Sequence, residues 1–481
     1  MPKQVKETYA GGQYKPLTHE QIEKIHKATL QVLENTGVEI NHREALELLA
    51  KNGARVDFNS KKAYLTAELI ERCVDSAPSD VVLYGREDKH NLDLSGERVY
   101  MGTGGTALNV LDLEGKRRRS QLKDLQDIAR LVDALENIHF YVCPVFPNEL
   151  AKEVVDVNRF YSSILNTSKH IMGGVYTVDG VRKVVELSAE LAGGLEQLQK
   201  KPFISIITCI MSPLKFDATY TELMFEAARN SIPLATPSAP LAGATGPATL
   251  AGTLVQANAE ALAGIVLVQL AKPGNPVLYS AVPTTIDMRN MAFCFGSVEM
   301  GIMNAASAQL SHYYKLPVYN TAGVSDSKIP DAQAGYEKAA TALMAGLAGS
   351  NFIHDAAGLL EGAMTASYAQ YVIDNEIIGM AMRSVRGIEV TDDTLAVDAI
   401  NNVGPAGNYL SDAHTIKYMK SECFFNSVAD RQSYPLWSEA GSTDACQRAT
   451  QIAGELIATH KPLGVSDKLD TKIRAMIPEI I

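Results

Sequence analysis

Two short apolar segments of the chain end in side chains that could take part in chemistry. The first reaches Tyr319 and Asn320, and the second, which begins at Phe352, carries His354 and Asp355. Both have the composition of buried β-strands, and an Ala-rich stretch of helix length lies between them. A strand that is buried on both faces has little reason to carry such polar groups unless a site at its carboxyl end uses them. The pattern therefore predicts a parallel βαβ unit with a functional site at its strand ends.

His354 and Asp355 are adjacent in the second of these predicted strands. Because successive side chains of a strand point to opposite faces, we expect the two not to form an acid–base pair with each other. Each is as consistent with a satisfied polar group of the core as with a ligand-binding group. Tyr336 falls on the intervening helix, where packing is the simpler interpretation.

The elements that must position these groups follow from a repeating alternation of strand-length and helix-length segments. Eight apolar runs recur at roughly 30- to 45-residue intervals, as a (β/α)8 barrel requires. They lie at 98–102, 139–146, 170–176, 203–210, 232–236, 276–282, 317–322 and 352–357. Helical patterns follow them at 123–136, 156–165, 180–192, 218–229, 248–270, 297–314, 331–347 and 367–385. The count predicts an α/β protein with a (β/α)8 TIM barrel over residues 98–386.

The segments on either side of the predicted barrel have different patterns. Residues 1–97 combine short helices and strands and predict a small α+β N-terminal module, in which Thr18 and Gln21 have capping-box spacing. After residue 386 the alternation stops. Residues 387–481 predict a C-terminal helical extension that packs on the barrel.

Composition and charge exclude several classes of function. Hydrophobic residues make up 46% of the 481 positions and the formal net charge is −11, which disfavours nucleic acid as a partner. The start of the chain is polar and lacks the apolar stretch of a secretory signal. The most apolar run, Ala259 to Leu270, is shorter than the ~20 residues that span a bilayer. We therefore expect a cytoplasmic protein without a membrane partner.

The metal-binding and nucleophilic residue types show no recognisable spacing. The six cysteines are scattered without a CxxC pair, so neither a disulfide framework nor a thiolate zinc site is predicted. No two histidines and a carboxylate stand at metal-ligand spacing, and no tightly bound metal is expected. The pair of strand-end lysines typical of an aldolase is also missing.

The predicted strand ends are instead rich in hydroxyl and amide groups, with few cations. The set comprises Tyr176, Thr177, Cys209, Met211, Ser212, Thr236, Ser238, Thr284, Thr285, Asp287, Asn320, Thr321, Asp326, His354, Asp355 and Glu361.

Several long blocks of the sequence resemble one known family. They are GREDKHNLDLSG, YMGTGG and VLDLEGKRRRS in the first quarter, SDSKIPDAQAGYEKAATALMAGLAGSNFI around the βαβ unit, and GPAGNYLSDAHT, DRQSYPLW and GSTDACQRA near the end. In this order they resemble the trimethylamine methyltransferase family, in particular its members without pyrrolysine. The resemblance covers residues 20–460.

The resemblance implies a (β/α)8 barrel that moves a methyl group from a methylated amine to the cobalt of a separate corrinoid protein. It also implies a pyrrolysine at or next to Tyr336 in the trimethylamine enzymes, whereas this chain has ordinary residues throughout DAQAGYEK. That departure favours quaternary amines, with glycine betaine as the first expectation and proline betaine, carnitine or γ-butyrobetaine as alternatives. Cobalamin would be carried by the partner protein.

A quaternary ammonium requires an aromatic or apolar cage, and a betaine carboxylate requires donors. The cage candidates are Tyr100, Phe295, Tyr319, Tyr336, Phe352 and Trp437. The donor candidates are Asn320, Arg289 and His354, and Glu299 and Asp326 could complement the ammonium charge. No catalytic acid or base is assigned, because in-line transfer depends on positioning.

Two other classes of function remain open. A barrel lyase or isomerase would need the strand-end lysine or metal cluster that the sequence lacks. A non-catalytic protein that binds quaternary amines would keep the cage without the transfer. Ala- and Gly-rich helices at 257–264 and 339–349 predict close helix packing and a homo-oligomer.

Overall fold

A computed structural model describes residues 8–481, which fold as a mixed α/β chain with many helices. The strands that build the site are labelled in chain order: β1 Tyr100–Thr103, β2 Tyr141–Val142, β3 Ile171–Gly174, β4 Ile204–Ile207, β5 Leu234–Ala235, β6 Val277–Leu278, β7 Tyr319–Thr321 and β8 Phe352–Ala357. One long helix follows each of them: α1 Leu122–Ala134, α2 Lys152–Asn166, α3 Val178–Ala192, α4 Ala218–Arg229, α5 Leu250–Ala271, α6 Val298–Tyr313, α7 Ala332–Leu347 and α8 Tyr368–Arg386. Each overlaps its predicted segment, so the predicted order of strands and helices is confirmed.

The labelled strands pair with their neighbours in chain order. Strands β2 to β6 form a five-stranded parallel sheet, and β7, β8 and β1 form a second parallel sheet with β8 in the middle. Just beyond β6, Tyr279 forms a parallel bridge with Val318. On the other side, the His139 N–H donates to the Met101 carbonyl over 2.8 Å, and Ala107 forms a parallel bridge with Val145. Both junctions therefore link the two sheets.

The strands bury side chains on both faces. The larger hydrophobic cluster lies between the strands and the helices, and a smaller one collects side chains from the opposite strand face. This inner cluster includes Tyr100, Phe140, Val142, Met172, Ile207, Ala235, Leu278, Val282, Tyr319 and Phe352. An antiparallel hairpin of Val82–Leu83 and Leu92–Asp93 adds four apolar residues to it. Because the hairpin contacts Tyr100 at the start of β1, it covers the amino ends of the strands.

The first part of the chain packs on this framework rather than forming a separate core. It contains the α-helices His19–Gln31, Arg43–Lys51 and Ala67–Ser76, a short π-helix, Val32–Thr36, and a short 3-10 helix, Asp88–His90. Its strands are Val38–Ile40, Arg55–Asp57 and Lys62–Tyr64. The predicted capping box of Thr18 and Gln21 is present. Val38–Ile40 pairs with Lys215–Phe216, which follows β4, so the small sheet includes a strand from the central region.

Helix α5 is long and apolar enough to cross a membrane by length and composition, the one such helix found among residues 8–481. It is mostly buried inside the protein, between the N-terminal helices and α4 and α6. Its Glu260 accepts hydrogen bonds from Ser212, Ser238 and Gln256. These contacts are those of a core helix.

The remaining strands are short and lie in the connecting loops. They are Asn109–Leu111, Arg117–Arg119, Leu241–Ala242, Thr284–Asp287, Ala292–Cys294, Leu359–Leu360 and Thr365–Ser367. Leu195–Lys200 is a short helix after α3.

The C-terminal part begins with an arm, residues 387–440, that has little core of its own. Its helices Val397–Val403, Ala413–Glu422 and Tyr434–Glu439 contain no buried residue. The next helix, Ala445–Thr459, packs against α8 and α1, and the last one, Asp467–Met476, contacts α3.

Candidate functional site

His354 and Asp355 do form a pair, contrary to the expectation from strand alternation. The His354 Nε2 atom lies 2.9 Å from Oδ2 of Asp355, and both residues are buried. Asp355 has a φ of +64°, in the left-handed region, and the register between β8 and β1 shifts between Ile353 and Ala357. This bulge interrupts the alternation, so two adjacent side chains reach the same side of the strand.

Neighbouring groups on β7 hold the pair in place. The Thr321 hydroxyl donates to Asp355 Oδ2 over 3.0 Å. The Nδ1 atom of His354 lies 2.6 Å from the carbonyl oxygen of Asn320, and its ring stacks on Tyr319 at 4.1 Å between centroids. Every polar atom of the imidazole is therefore engaged.

The contact with Asn320 defines the role of one imidazole nitrogen. A carbonyl oxygen only accepts, so Nδ1 of His354 must carry a proton that it donates to Asn320. The second contact, between Nε2 and Asp355 Oδ2, has the distance of an ion pair, 2.9 Å.

Gly104, just after β1, makes room for the carboxylate. A Cβ atom built on it would lie 1.6 Å from Asp355 Oδ1. At the end of β3, in contrast, a Cβ on Gly174 would meet no atom within 4 Å. The carboxyl ends of the strands therefore combine one closely packed position with open space.

Cys209 and Tyr176 also lie at these strand ends. Cys209 is exposed, yet the surrounding protein raises the pKa of its thiol to about 11 by desolvation. Tyr176 is half-buried and packs edge-on against Phe146 at 5.5 Å.

Two buried charged residues of α2 support this side of the site, and sequence reasoning missed both. Arg159 is fully buried and donates to the carbonyls of Cys143 and Gly174, each over 3.0 Å, beyond the ends of β2 and at the end of β3. Asp156 accepts from the backbone N–H of Tyr176 and Thr177. Burial raises the pKa of Asp156. In the sequence, the signal that could have identified them is the presence of two charged residues on the inner face of a helix.

A second buried ion pair fixes the turns that follow β7 and β8. Lys338 and Asp374 lie 2.9 Å apart and are fully buried. Lys338 Nζ donates to the Gly323 carbonyl over 2.6 Å, and the Gly358 N–H donates to Asp374 over 2.7 Å. Both glycines have positive φ, 70° and 86°, so helices α7 and α8 together hold the two turns nearest the His354–Asp355 pair.

Comparison with known proteins identifies the family. The family described as trimethylamine methyltransferase (MTTB) matches residues 2–479. The chain belongs to this family. The resemblance seen in the sequence blocks is thereby confirmed.

Relatives within the MTTB family are similar over nearly their whole length. A trimethylamine methyltransferase MttB of Desulfitobacterium hafniense is 40% identical over 461 residues, which cover 96% of this chain and 92% of the relative. A glycine betaine methyltransferase of the same species is 34% identical over 467 residues, 97% of each chain. The MttB of Methanosarcina thermophila is 36% identical over 457 residues, 92% of this chain and 93% of the relative.

Among solved structures, the monomethylamine methyltransferase MtmB of Methanosarcina barkeri has a similar fold. The TM-score is 0.50 at 11% identity, and the match covers 92% of this chain and 93% of that one.

In this MTTB-family chain, the candidate residues identified from sequence fall in different places. Tyr100 and Phe352 belong to the inner cluster, where Phe352 stacks on Phe140 at 3.5 Å. Asn320 turns its side-chain amide away from that cluster, donating to the Asn304 carbonyl and Ser350 Oγ. Its contribution to the His354 environment is its backbone carbonyl.

The other candidates lie in loops and on the surface. Phe295 is half-buried, and its N–H donates to the carboxylate of Asp326. Glu299 is exposed in the first turn of α6, and Arg289 is 89% exposed and paired with Asp287. Tyr336 is 63% exposed on α7. Trp437 lies in the C-terminal arm, where its Nε1 donates to the Thr443 carbonyl. The roles of all these residues stay predictions.

No metal centre is evident in the part of the chain from residue 8 onward. There, no group of three or more His, Cys, Asp or Glu side chains is arranged to hold a metal ion.

Proposed function

We propose that this chain moves a methyl group from a quaternary amine, with glycine betaine as the first candidate, to the Co(I) of a separate corrinoid protein. The observation that carries the proposal is the buried His354–Asp355 pair at the strand ends, in a chain of a methyltransferase family. A carboxylate at such a position can attract a cationic amine.

We further propose that strands β1 to β8 close into a (β/α)8 barrel. Pairing in chain order and the links at both sheet junctions support it. In that fold the carboxyl ends of the strands form the active-site face. Residues 1–97 would then be the N-terminal module and residues 387–481 the C-terminal extension.

The chemistry asks for positioning more than for acid–base catalysis. The corrinoid protein, carrying cobalamin, supplies the nucleophile as the second substrate. A quaternary ammonium leaves as a neutral amine, so bond cleavage needs no prior protonation. The task of this chain is to hold the methyl carbon in line with the acceptor and to exclude water.

The loops at this end of the molecule offer an apolar rim for the large acceptor. Large apolar side chains there are exposed, namely Met211, Met288, Met291, Phe293, Ile329, Tyr336 and Met364. Exposed apolar residues concentrated on one face are typical of an interaction surface. This rim suits the docking of a partner that presents a bulky ring system.

The identity of the amine has more than one candidate. Another betaine would differ by only ~1–3 kcal/mol per methylene in a pocket. The higher identity to the MttB relative, 40% against 34%, favours trimethylamine as a second candidate. A non-catalytic quaternary-amine binder is the remaining alternative.

Assembly and location complete the proposal. The exposed apolar side chains of residues 387–440, among them Ile388 at 86% and Leu410 at 84%, support a homo-oligomer. A cytoplasmic location is proposed as well.

An anaerobic assay tests the reaction. Purified protein is mixed with reduced corrinoid protein or free Co(I)-cobalamin, and one amine at a time is added while the visible spectrum is followed. We expect loss of Co(I) and growth of the methylated corrinoid with glycine betaine. If only trimethylamine produces this spectral change, trimethylamine and not glycine betaine is the substrate. Betaine binding without any methylated product would leave the non-catalytic binder.

A further inference from the structure

Arg159 brings a positive charge to the ends of β2 and β3. It is fully buried, and its terminal nitrogens donate to the Cys143 and Gly174 carbonyls, the Thr106 hydroxyl and, over 3.5 Å, the phenolic oxygen of Tyr176. These acceptors are all neutral, and in the described part of the chain the Nε atom has no hydrogen-bond partner. A guanidinium stays charged, and a buried charge is costly without compensation. An anionic group nearby would therefore be strongly favoured.

Asp156, one turn earlier on α2, does not accept a hydrogen bond from this guanidinium. Its oxygens accept instead from the backbone N–H of Tyr176 and Thr177 and from the Thr177 hydroxyl. Burial raises the pKa of Asp156, while these donors and the charge of Arg159 act in the opposite direction. The carboxylate thus fixes the backbone that carries Tyr176.

The hydroxyl of Tyr176 is arranged to donate to a ligand. Its oxygen accepts from Arg159, and within residues 8–481 its hydrogen has no acceptor. The half-buried ring is held edge-on by Phe146 at 5.5 Å. The guanidinium carbon of Arg159 lies 5.6 Å from the ring centroid, which disfavours a second cation on this ring. Tyr176 therefore suits an anionic group of a ligand better than an ammonium.

The exposed thiol of Cys209 lies near both Tyr176 and the carboxylate of Asp355. Burial raises the pKa of Tyr319 well above its ordinary range, with smaller effects from the nearby Asp355 and Cys209. Burial also raises the pKa of Tyr220, in the first turn of α4, with smaller effects from the nearby Cys209 and Tyr176. The phenol after β3 and the carboxylate of β8 therefore border one region at the strand ends.

We infer that the Tyr176 hydroxyl, supported by Arg159, donates to a carboxylate of the substrate, which makes the substrate a zwitterionic betaine rather than trimethylamine. The inference rests on the proposed function in one respect, that the chain binds a methylated amine. It adds the group that recognises the carboxylate, and it chooses between the two candidate classes of amine.

Three ligands of similar shape separate the two charges of a betaine. Glycine betaine carries both charges, and tetramethylammonium carries the cation alone. In 3,3-dimethylbutanoate a carbon atom replaces the nitrogen, so only the carboxylate remains. A hydrogen bond from Tyr176 to the carboxylate affects the first and third ligands and not the second.

Calorimetric titration of the full chain with these ligands tests the inference. Tyr176→Phe removes one oxygen atom and keeps the ring that packs against Phe146. We expect its dissociation constants for glycine betaine and 3,3-dimethylbutanoate to rise at least ~10-fold, as the loss of a hydrogen bond to a charged group predicts. The dissociation constant for tetramethylammonium should change by less than about twofold.

Tyr220→Phe is the matched control. Tyr220 is also half-buried and lies near Cys209, but it does not contact Arg159 through a hydrogen bond. Removal of its hydroxyl should leave the binding of all three ligands within about twofold of the wild type.

Other results would overturn the inference. Unchanged binding of glycine betaine to Tyr176→Phe excludes the hydrogen bond. An equal loss of affinity for tetramethylammonium and glycine betaine would show that the substitution disturbs the site as a whole. Thermal unfolding checks the fold of each variant. If Tyr176→Phe does not fold, the wild type decides: it should bind glycine betaine at least ~10-fold tighter than tetramethylammonium, and equal or weaker binding overturns the inference.

The corrinoid assay separates this inference from the proposed function. If the wild type transfers a methyl group from glycine betaine and Tyr176→Phe does so with an unchanged KM, only the inference fails. If the wild type transfers a methyl group from trimethylamine and does not bind glycine betaine, the inference and the betaine candidate fail while the methyltransferase reaction stands. If it neither binds nor demethylates any of these amines, both fail.

Discussion

Gly104 lies where β1 ends, and the carboxylate of Asp355 fills the space that its side chain would need. The absence of a Cβ at this position lets the carboxylate reach the strand ends, whereas a Cβ on Gly174, at the end of β3, would meet no atom within 4 Å. The two glycines thus have opposite surroundings. Neither has a positive φ. The backbone conformation therefore does not require glycine at either position, and the space available for a side chain is what distinguishes them.

Replacing Gly104 with alanine should therefore displace Asp355. The added Cβ would be 1.6 Å from Oδ1, so we expect a loss of about 1–3 kcal/mol in the free energy of unfolding and loss of methyl transfer. Chemical denaturation and the corrinoid assay measure the two effects. Gly174→Ala is the matched control for stability and should unfold like the wild type. Equal stability of the two variants would contradict the packing seen here.

Cys209 gives a chemical probe of the same region. With the pKa of its thiol raised to about 11 by desolvation, only about one thiol in a thousand is ionised at pH 8, and the reactive fraction rises about tenfold per pH unit until pH 11. We expect slow iodoacetamide labelling at pH 8 that accelerates with pH, monitored by peptide mass spectrometry. Bound glycine betaine should slow it further. Fast labelling at pH 7 would show that the thiol is not in a desolvated setting.

At the scale of elements, the hairpin Val82–Leu83 with Leu92–Asp93 shows how the amino ends of the strands are closed. His170, which precedes β3, links this hairpin to strand β4. Its Nδ1 lies 2.8 Å from the Tyr84 carbonyl and its Nε2 lies 2.8 Å from Ser205 Oγ. The ring is fully buried, and desolvation lowers its pKa to about 4. It is held neutral, donating to Tyr84 and accepting from Ser205.

Stability should consequently fall in mild acid through His170. The unfolded chain takes up a proton near the ordinary pKa of 6.5, and the folded chain does so only near 4. Above pH 6.5 His170 does not destabilise the folded state. As the pH falls from 6.5 to 4, the free energy of unfolding decreases by up to about 3 kcal/mol. Urea unfolding at several pH values measures the slope. His170→Gln should show a smaller slope over this interval, and an unchanged slope would assign the effect to other groups.

The whole molecule combines a well-packed strand and helix core with an arm that is almost entirely exposed. Residues 387–440 expose Ile388, Val390, Leu395, Val397, Ile400, Leu410, Ile416, Met419, Phe425, Tyr434 and Leu436. A solvent-exposed surface with so many large apolar side chains favours association with another protein surface. The arm is therefore the surface where the proposed homo-oligomer would form.

Charged substitutions in the arm test this assignment. We expect the wild type to be an oligomer by multi-angle light scattering, and Ile388→Lys with Leu410→Lys to shift it towards the monomer. Because both side chains are more than 80% exposed, the change should leave the unfolding of the core nearly unaffected. Ile329→Lys, on the apolar rim, is the control and should keep the oligomer. A monomeric wild type would contradict the proposal that residues 387–440 form an oligomer interface.

The sequence by itself determined the order of strands and helices, the Thr18–Gln21 cap and the family. These features depend on local periodicity, on capping residues and on long ordered blocks, all of which can be read along the chain. The helix from residue 218 to residue 229 was predicted with the bounds that the structure has.

Only the tertiary structure decided how the site is assembled. Strand alternation predicted that His354 and Asp355 face apart, but the left-handed Asp355 and the bulge beside β1 bring them together. The burial of Arg159 and the exposure of Tyr336 likewise depend on which elements pack against each helix. Periodicity assumes a regular backbone and says nothing of contacts between distant segments, and this site is built from one backbone irregularity and several such contacts.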